Sequence, residues 1–519
     1  MTSNGRRCIH CIVPSRGHED GWVVVGSGAS GAVVAARATE RSDVAVLLLE
    51  AGPDYPRDSL PKDLRNGGRN SYFRHDWGYR HEPTSGQRIP FMFPRGRVVG
   101  GSSAVNTCIA IRGRPYDYDE WGLAEWTWEK CLPAFKRLET DLDIDDEWHG
   151  QEGPILIRRH TRAELMPWQA GFLDACAESG VPYCPDHNNP HLGGAGPHAM
   201  NKVGGERIGA ARGYLTRQVR ARDNLALSPD TLVRRVLFQG RKVRGLEVER
   251  EGRIEEIPAR RVLLAGGAIN TPGILLRSGI GPRDVVARLG VELVADVPAV
   301  SARLLDHPGA AIFFLPKLGI VGWDDPLIQC AWRFTSEGSP YYNDTQIQAG
   351  SLLPFPWITV PLVSIMVQVG KPRGHGTLTF ESADPHHKPT IRSHVFEDHD
   401  DRERAIEGLR RAYEVAQKGP MRELATLLWP RPKTLLGSRA HEWIRKSCDS
   451  GYHPCGTVPM GEDGDPRAAC DPHGRVRGVE GLWVVDASLF PTVPVANTHL
   501  TALMFGERFG AWVREGVLG

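Results

Sequence analysis

The sequence predicts an α/β protein, α+β overall. Three observations predict it. A glycine-rich turn joins two short buried strands between Trp22 and Leu49. Two more buried strands recur far downstream, at Val262 to Ala265 and Leu482 to Val485. Between them, from about 300 to 395, runs a strand-like region dense in aromatics.

The first stretch reads GWVVVGSGASGAVVAARATERSDVAVLLLEAG, Gly21 to Gly52. Trp22 to Val25 is an apolar, β-branched run, as in a buried parallel strand. Gly26, Gly28 and Gly31 follow at the spacing G-x-G-x-x-G. Ala29 to Arg41 is Ala-rich and Pro-free and predicts a helix. Val44 to Leu49 predicts a second strand, ending in Glu50. Each glycine has its own reason. Gly26 allows the tight turn, Gly28 lets a pyrophosphate approach the backbone, and Gly31 lets helix and strand pack closely. The helix N-terminus offers free N–H groups to the phosphates. Glu50 stands where an acid holds a ribose hydroxyl. Strand, glycines, helix, strand and acid in this order predict a Rossmann-like dinucleotide site.

Composition narrows the rest. With 519 residues, 41% hydrophobic, the chain is long enough for two or three structural units. A formal charge of +1 gives no reason to expect nucleic acid or an anionic membrane as partner. No apolar run approaches the roughly 18 residues of a bilayer span. The N-terminal MTSNGRRCIHCIVPSRGHED lacks the apolar core of a secretory signal and reads as a disordered lead-in. Ten scattered cysteines fit a reducing cytoplasm. Cys8 and Cys11 flank His10, but no second ligand pair completes a zinc site.

Residues 53 to 93, rich in Pro, Gly, Arg and aromatics, read as a long excursion. PRGRVVGGSSAVN, Pro94 to Asn106, places Gly100, Gly101, Ser102 and Ser103 in a small-residue turn against which a flat ligand could lie. Asp117 to Trp121 and Trp126 to Leu138 predict amphipathic helix, and the acidic run Glu139 to Glu147 reads as a solvated loop. His187, His191 and His198 fit no usual ligand spacing and read as loop histidines. Leu225 to Ser228, Val233 to Phe238 and Val243 to Arg250 predict strands. Val262 to Ala265 runs into GGAINTPGILLRSGIGP, a helix begun by Thr271 and Pro272 and ended by Ser278 to Gly281. Phe313, Phe314, Trp323, Trp332, Phe334, Phe355 and Trp357 read as core, some able to line a pocket. Asp400 to Lys418 predicts a helix with Ile406, Leu409, Tyr413 and Ala416 on one stripe, and His441 to Cys448 a shorter one. The chain closes with GYHPCGTVPMG at 451 to 461, then DASLFPTVPVANTHLT and a helix over Thr501 to Val513.

Four stretches together resemble the glucose–methanol–choline (GMC) oxidoreductases. They are the fingerprint with Glu50-Ala51-Gly52, then RGRVVGGSSAVN, then GAINTPGILLRSGIG, then YHPCGT with the closing VVDASLFPTVPVANTHLT. The resemblance implies FAD, and a Rossmann-like FAD-binding domain interleaved with a substrate domain built on an antiparallel sheet. Residues 20–309 would be mostly FAD-binding, 310–475 the substrate domain, and 476–519 a return carrying the second active-site histidine. By the same resemblance Gly26, Gly28 and Gly31 meet the pyrophosphate, and Glu50, with Ala51, the adenosine ribose. Gly100, Gly101, Ser102, Asn106 and Ala110 lie along the isoalloxazine and ribityl chain. Val233 contacts adenine through its backbone, and Asp486 and Ala487 approach the ribityl and pyrophosphate. His453 and His499 face the reactive side of the flavin. Two departures stand out. Val105 replaces the histidine that binds FAD covalently in some members, so FAD is expected to be non-covalent. The family's G-x-N-L-x-D-H reads here SARLLDH, with Ser301 for Gly and Arg303 for Asn, while Leu304, Asp306 and His307 remain.

The implied reaction oxidises an alcohol to a carbonyl, with hydride passing to flavin N5. Histidine suits removal of the hydroxyl proton near neutral pH. His453 is assigned as base and His499 as the group that holds the developing alkoxide; close imidazoles titrate as a pair, so the roles can exchange. HDWGY, His75 to Tyr79, resembles choline- and aryl-alcohol-type members more than sugar oxidases, which points to a primary alcohol, aromatic or furanic. O₂ or an electron carrier would reoxidise the flavin, and the small Gly451 would open that face to O₂. The family also holds hydroxynitrile lyases and fatty-acid photodecarboxylases, so a flavin-containing lyase or photoenzyme is the alternative, and a flavin binder without turnover the third. None of these calls for a metal ion.

Overall fold

A computed structural model of the chain describes residues 21–71, 73–87, 89–351 and 361–518. The N-terminal lead-in with Cys8, His10 and Cys11, and the aromatics Phe355 and Trp357, lie outside the described residues.

The fingerprint strand, Trp22–Val25, is the centre of a five-stranded parallel sheet. It pairs with Val46–Leu49 on one side and Arg261–Leu264 on the other. Leu225–Ser228 and Leu482–Val484 complete the two edges. Every residue of the first two strands is buried, as a sheet covered on both faces requires. The helix after the glycines runs from Ala29 to Ala38, where the Thr39 hydroxyl bonds back to the Ala35 carbonyl at 2.7 Å. The closing helix, Thr498–Glu515, lies against it. Close approach depends on small residues: a Cβ on Gly506 or Gly510 would come within 2.6 Å of the Cβ of Val33 or Arg37. Ser30 Oγ donates to the Ala502 carbonyl at 2.7 Å. The last helix is thereby fixed with His499 in its first turn.

The helix predicted to start at Thr271 begins earlier, at Gly267, and Pro272 sits inside it. Proline has no N–H for the carbonyl four residues back, that of Ala268. Thr457 Oγ1 donates to that carbonyl at 2.7 Å, so the interior proline leaves no acceptor unpaired.

The strand-like region forms an antiparallel sheet. Pro308–Pro316, Val363–Val369, Thr345–Gly350 and Cys330–Phe334 lie in that spatial order. Gly194–Pro197 extends it beyond Cys330–Phe334, and Ala425–Trp429 beyond Pro308–Pro316. The helices Pro167–Glu178 and His399–Ala416 back one face and close a second core around Trp168, Phe172, Ile365, Val367, Ile406 and Leu409. The other face looks onto the cavity described below.

Two expectations are corrected. The acidic run is not solvated at its start. Glu139–Asp141 is a strand paired with Ile155–Ile157, and both carboxylates are buried. Arg112 pairs with Glu139, and Arg159 with Asp141 at 2.9 Å. Buried charges persist only when paired, and these partners lie well apart in sequence. The excursion at 53–93 contains two strands, Tyr79–Glu82 and Phe91–Phe93, which join Thr377–Thr379 and Thr390–Arg392 in a four-stranded sheet. Of the histidines read as loop residues, His187 and His198 are fully buried. No helix among the described residues is long and apolar enough to cross a membrane.

Candidate active site

A cavity of about 880 Å³ opens where the parallel strands end, the usual place for a ligand in such sheets. It runs from the glycine turn to the underside of the antiparallel sheet. Gly26 has φ +98°, and a Cβ there would sit 2.4 Å from the Ala265 carbonyl oxygen. Gly101 has φ +52°, and its Cβ would lie 2.7 Å from Gly28 Cα. The Cβ position of Gly28 meets nothing nearer than 3.9 Å, so room is left in front of its backbone. The helix Ala29–Ala38 points its N-terminus there with no acidic residue in the first turn. That cradle fits a pyrophosphate. Glu50 is buried, and burial raises its pKa. Its Oε2 accepts from the Ser27 N–H at 3.0 Å and hydroxyl at 2.7 Å, and its Oε1 from the Gly52 N–H at 3.0 Å.

Of the residues expected at the site, Gly26, Gly28, Glu50, Ala51, Gly101, Ser102, Asn106, Val233, Asp486, Ala487, His453 and His499 all line this cavity. Gly31, Gly100 and Ala110 do not. A Cβ on Gly31 would fall 1.9 Å from the Gly26 carbonyl oxygen, so its place is between helix and strand. Gly100 donates its N–H to the Ser27 carbonyl at 3.0 Å and holds the second turn against the first. Ala110 pairs its backbone with Ala199 and lies in the core. Asp486 is fully engaged by protein donors: the Gly267 N–H at 2.8 Å, the Thr271 hydroxyl at 2.6 Å and the Ser488 N–H at 2.8 Å.

The far end of the cavity is built around His453. Asp306 accepts the backbone N–H of both His453 and His307 at 2.8 Å, and the Ser450 hydroxyl as well. The two imidazoles meet at Nδ1, 2.9 Å apart. His307 Nε2 faces two carbonyls, Pro494 at 2.9 Å and Gly370 at 3.1 Å. Carbonyls only accept, so the Nε2 carries a proton. Burial pushes His307 down to about 4, so it is neutral near pH 7 and its Nδ1 is a bare acceptor. The proton between the rings therefore belongs to His453 Nδ1. His453 is also held well below its ordinary value, by burial first and then by His307 and Arg95. Its Nε2 is left as a lone pair, 2.9 Å from the Asn497 amide nitrogen. The Gln368 amide nitrogen lies 3.2 Å from His453 Nδ1; the amide could accept from that N–H only with its oxygen and nitrogen exchanged. His499 is half-buried and pushed to about 4 by desolvation, and its Nε2 has no hydrogen-bond partner among the described residues.

His307, Gln368, Asn497 and Asp306 were not assigned roles from the sequence. Asn497 lies two residues before His499 in the quoted closing stretch. Gln368 is the penultimate residue of VSIMVQV, Val363–Val369, where Ser364, Met366 and Gln368 share the face turned to the cavity. Gly451 lines the cavity, and a Cβ there would fall 2.0 Å from the Gln368 amide nitrogen, so its lack of a side chain makes room for that amide. Ser301 keeps the left-handed backbone of the glycine it replaces, at φ +61°, and its hydroxyl bonds the Leu378 carbonyl at 2.6 Å.

Family models for GMC oxidoreductases match residues 22–309 and 372–506. A 5-(hydroxymethyl)furfural oxidase of Methylovorus sp. (strain MP688) is 34% identical, over 94% of this chain and 97% of its own length. An oxygen-dependent choline dehydrogenase of Chromohalobacter salexigens is 32% identical, over 96% of each chain. The crystal structure of pyridoxine 4-oxidase from Mesorbium loti superposes with a TM-score of 0.87 at 28% identity, over 95% of this chain and 98% of that one. Two family models that together cover most of the chain, and relatives above 30% identity along nearly all of it, place it plainly: the chain belongs to the GMC oxidoreductase family.

Proposed function

We propose that the chain is an FAD-dependent oxidoreductase of primary ring-bearing alcohols, with His453 as the base. The observation that carries this is the tautomer of His453, fixed through His307 so that its Nε2 is an unprotonated acceptor at the cavity wall, receiving the Asn497 amide N–H at 2.9 Å until a substrate hydroxyl takes that place. FAD is held non-covalently: Gly26, Gly28 and the helix Ala29–Ala38 take the pyrophosphate, Glu50 the ribose and Val233 the adenine side. Val105, in the cavity wall, offers no atom for a covalent bond to the flavin. Residues 20–309 and 476–519 are read as the cofactor unit and 310–475 as the substrate unit, with Gly194–Pro197 crossing into the second sheet. The eight described cysteines are all unpaired and buried, which supports a reducing, cytoplasmic setting.

When bound, FAD supplies the hydride acceptor. The protein supplies the rest. His453 Nε2 takes the hydroxyl proton, and the resulting imidazolium is stabilised by the neutral His307 Nδ1, which accepts its Nδ1–H. His499 Nε2, unpartnered among the described residues, and the Asn497 amide N–H that leaves His453 Nε2 as the substrate enters would hydrogen-bond the substrate oxygen as negative charge develops. Apolar side chains that line the cavity, Met366, Ile328 and Phe313 among them, reduce the access of water to the reacting end.

The wall also argues for an uncharged substrate. Its carboxylates are already engaged: Glu50 and Asp486 as above, and Asp449 by His81 at 2.9 Å and Tyr452 at 2.7 Å. A quaternary ammonium brought there would be desolvated without a free counter-charge. Steady-state assays with 5-hydroxymethylfurfural, benzyl alcohol, choline and glucose test this. The ring alcohols are expected to exceed choline in kcat/KM by at least about tenfold; preference for choline or glucose contradicts the reading. Peroxide release in the same assays tells O₂ from another electron carrier.

The pH dependence has a definite sign. A base works above its pKa and fails as pH falls through it. Because folded His453 lies well below its ordinary 6.5, the rate of alcohol oxidation is expected to hold its plateau through pH 6.5 and fall only at lower pH. An acid limb of kcat/KM centred at or above 6.5 would contradict the assignment.

A further inference from the structure

We propose that Gln348 is a second substrate anchor, selecting ring alcohols that carry a hydrogen-bond acceptor oxygen across the ring from the carbinol. The inference rests on alcohol oxidation at His453. Gln348 belongs to the strand Thr345–Gly350, is 4% exposed, and lines the cavity. In the sheet it stands opposite Met366, and Gln368, the amide beside His453, is two residues farther along that strand. Diagonal neighbours of this kind are roughly 7–8 Å apart. Gln348 therefore meets the roof about one aromatic ring's span from Gln368, the residue whose amide touches His453 Nδ1.

Its orientation is fixed from behind. The Gln348 Oε1 lies 3.3 Å from Nε2 of His198, a fully buried ring that burial pushes down to about 3. His198 is neutral, with one N–H to place, and its Nδ1 has no partner among the described residues. With the proton on Nε2, that N–H donates to Gln348 Oε1 and only a ring lone pair goes unpaired. With the amide reversed, a buried N–H would be stranded instead, which costs about 1–3 kcal/mol. The first arrangement holds, and it turns the Gln348 NH₂ toward the cavity. Among the described residues no acceptor engages that nitrogen, and Met366, opposite Gln348 in the sheet, is apolar. A formyl, ether or carbonyl oxygen on the substrate would accept from it. A plain ring alcohol would leave it unpaired.

The test compares 5-hydroxymethylfurfural with furfuryl alcohol, which has the same carbinol and ring but no formyl group. Wild type, Gln348→Leu and Gln348→Glu are assayed as FAD-loaded proteins, with the visible flavin spectrum and melting temperature confirming that each is folded. Wild type is expected to prefer 5-hydroxymethylfurfural. In Gln348→Leu the ratio of kcat/KM for the two alcohols should fall by about tenfold, the loss of one buried hydrogen bond. In Gln348→Glu it should fall further, because the ionised carboxylate repels the formyl oxygen. A ratio unchanged in both variants overturns the anchor even if both alcohols are oxidised. A wild type that oxidises neither alcohol, nor any other in the panel above, overturns the alcohol reading itself.

Discussion

Replacing His453 with alanine lowers the rate at which an alcohol reduces the bound flavin by about a hundredfold or more, while the protein stays folded and yellow. The loss is large because no other described group at that end is placed to take the proton. His307 has its Nδ1 turned to His453 and its Nε2 fixed on two carbonyls. His499 is held neutral by burial, but its lone nitrogen is assigned to the substrate oxygen. The fold survives because the backbone N–H of residue 453 stays on Asp306 whatever the side chain. Flavin binding survives because the cradle at Gly28 and Glu50 lies at the other end of the cavity. His453→Asn separates the roles further, since it keeps a polar group without a usable base. Anaerobic rapid mixing with the preferred alcohol reads the effect, and an unchanged reduction rate in His453→Ala would remove it from the role of base.

Replacing Gly31 with alanine has the largest expected effect at the cofactor end. The added methyl would fall 1.9 Å from the Gly26 carbonyl oxygen and 3.0 Å from the Ala265 Cβ. Neither neighbour is a flexible side-chain tip, so the helix Ala29–Ala38 must draw back from its strand. Overpacking against yielding neighbours costs about 1–3 kcal/mol, and a backbone carbonyl does not yield. The withdrawn helix also carries away the N–H groups that face the pyrophosphate. The variant is expected to melt well below wild type and to lose its yellow colour on purification. Gly31→Ala protein that binds FAD as tightly as wild type, with the same melting temperature, would contradict the packing.

The cofactor end was legible in the sequence because its parts are local. Turn, helix, strand and Glu50 lie within about thirty residues, and each glycine has its own steric reason. The antiparallel strands were legible as strands, but not their spatial order, which depends on contacts between distant segments. The reacting end was half legible. His453 and His499 came from the family resemblance, whereas the relay through His307 depends on carbonyls of Gly370 and Pro494, distant from it in the chain. Gln368 was hidden in a strand whose apolar face packs the core while its polar face roofs the cavity. Glu139 was misread because its partner Arg112 is invisible to a local reading. Gly451, read as an opening for O₂, makes room for the Gln368 amide.

The most direct measurement is the visible spectrum of the purified protein, mixed without oxygen with a panel of primary alcohols. The expected result is a yellow protein that bleaches with a ring-bearing alcohol, yields the aldehyde, and regains colour when an acceptor is admitted. A yellow protein that no alcohol bleaches would contradict the catalytic assignment of His453, and a protein that stays colourless after FAD is added would contradict the cradle at Gly28 from which the account begins.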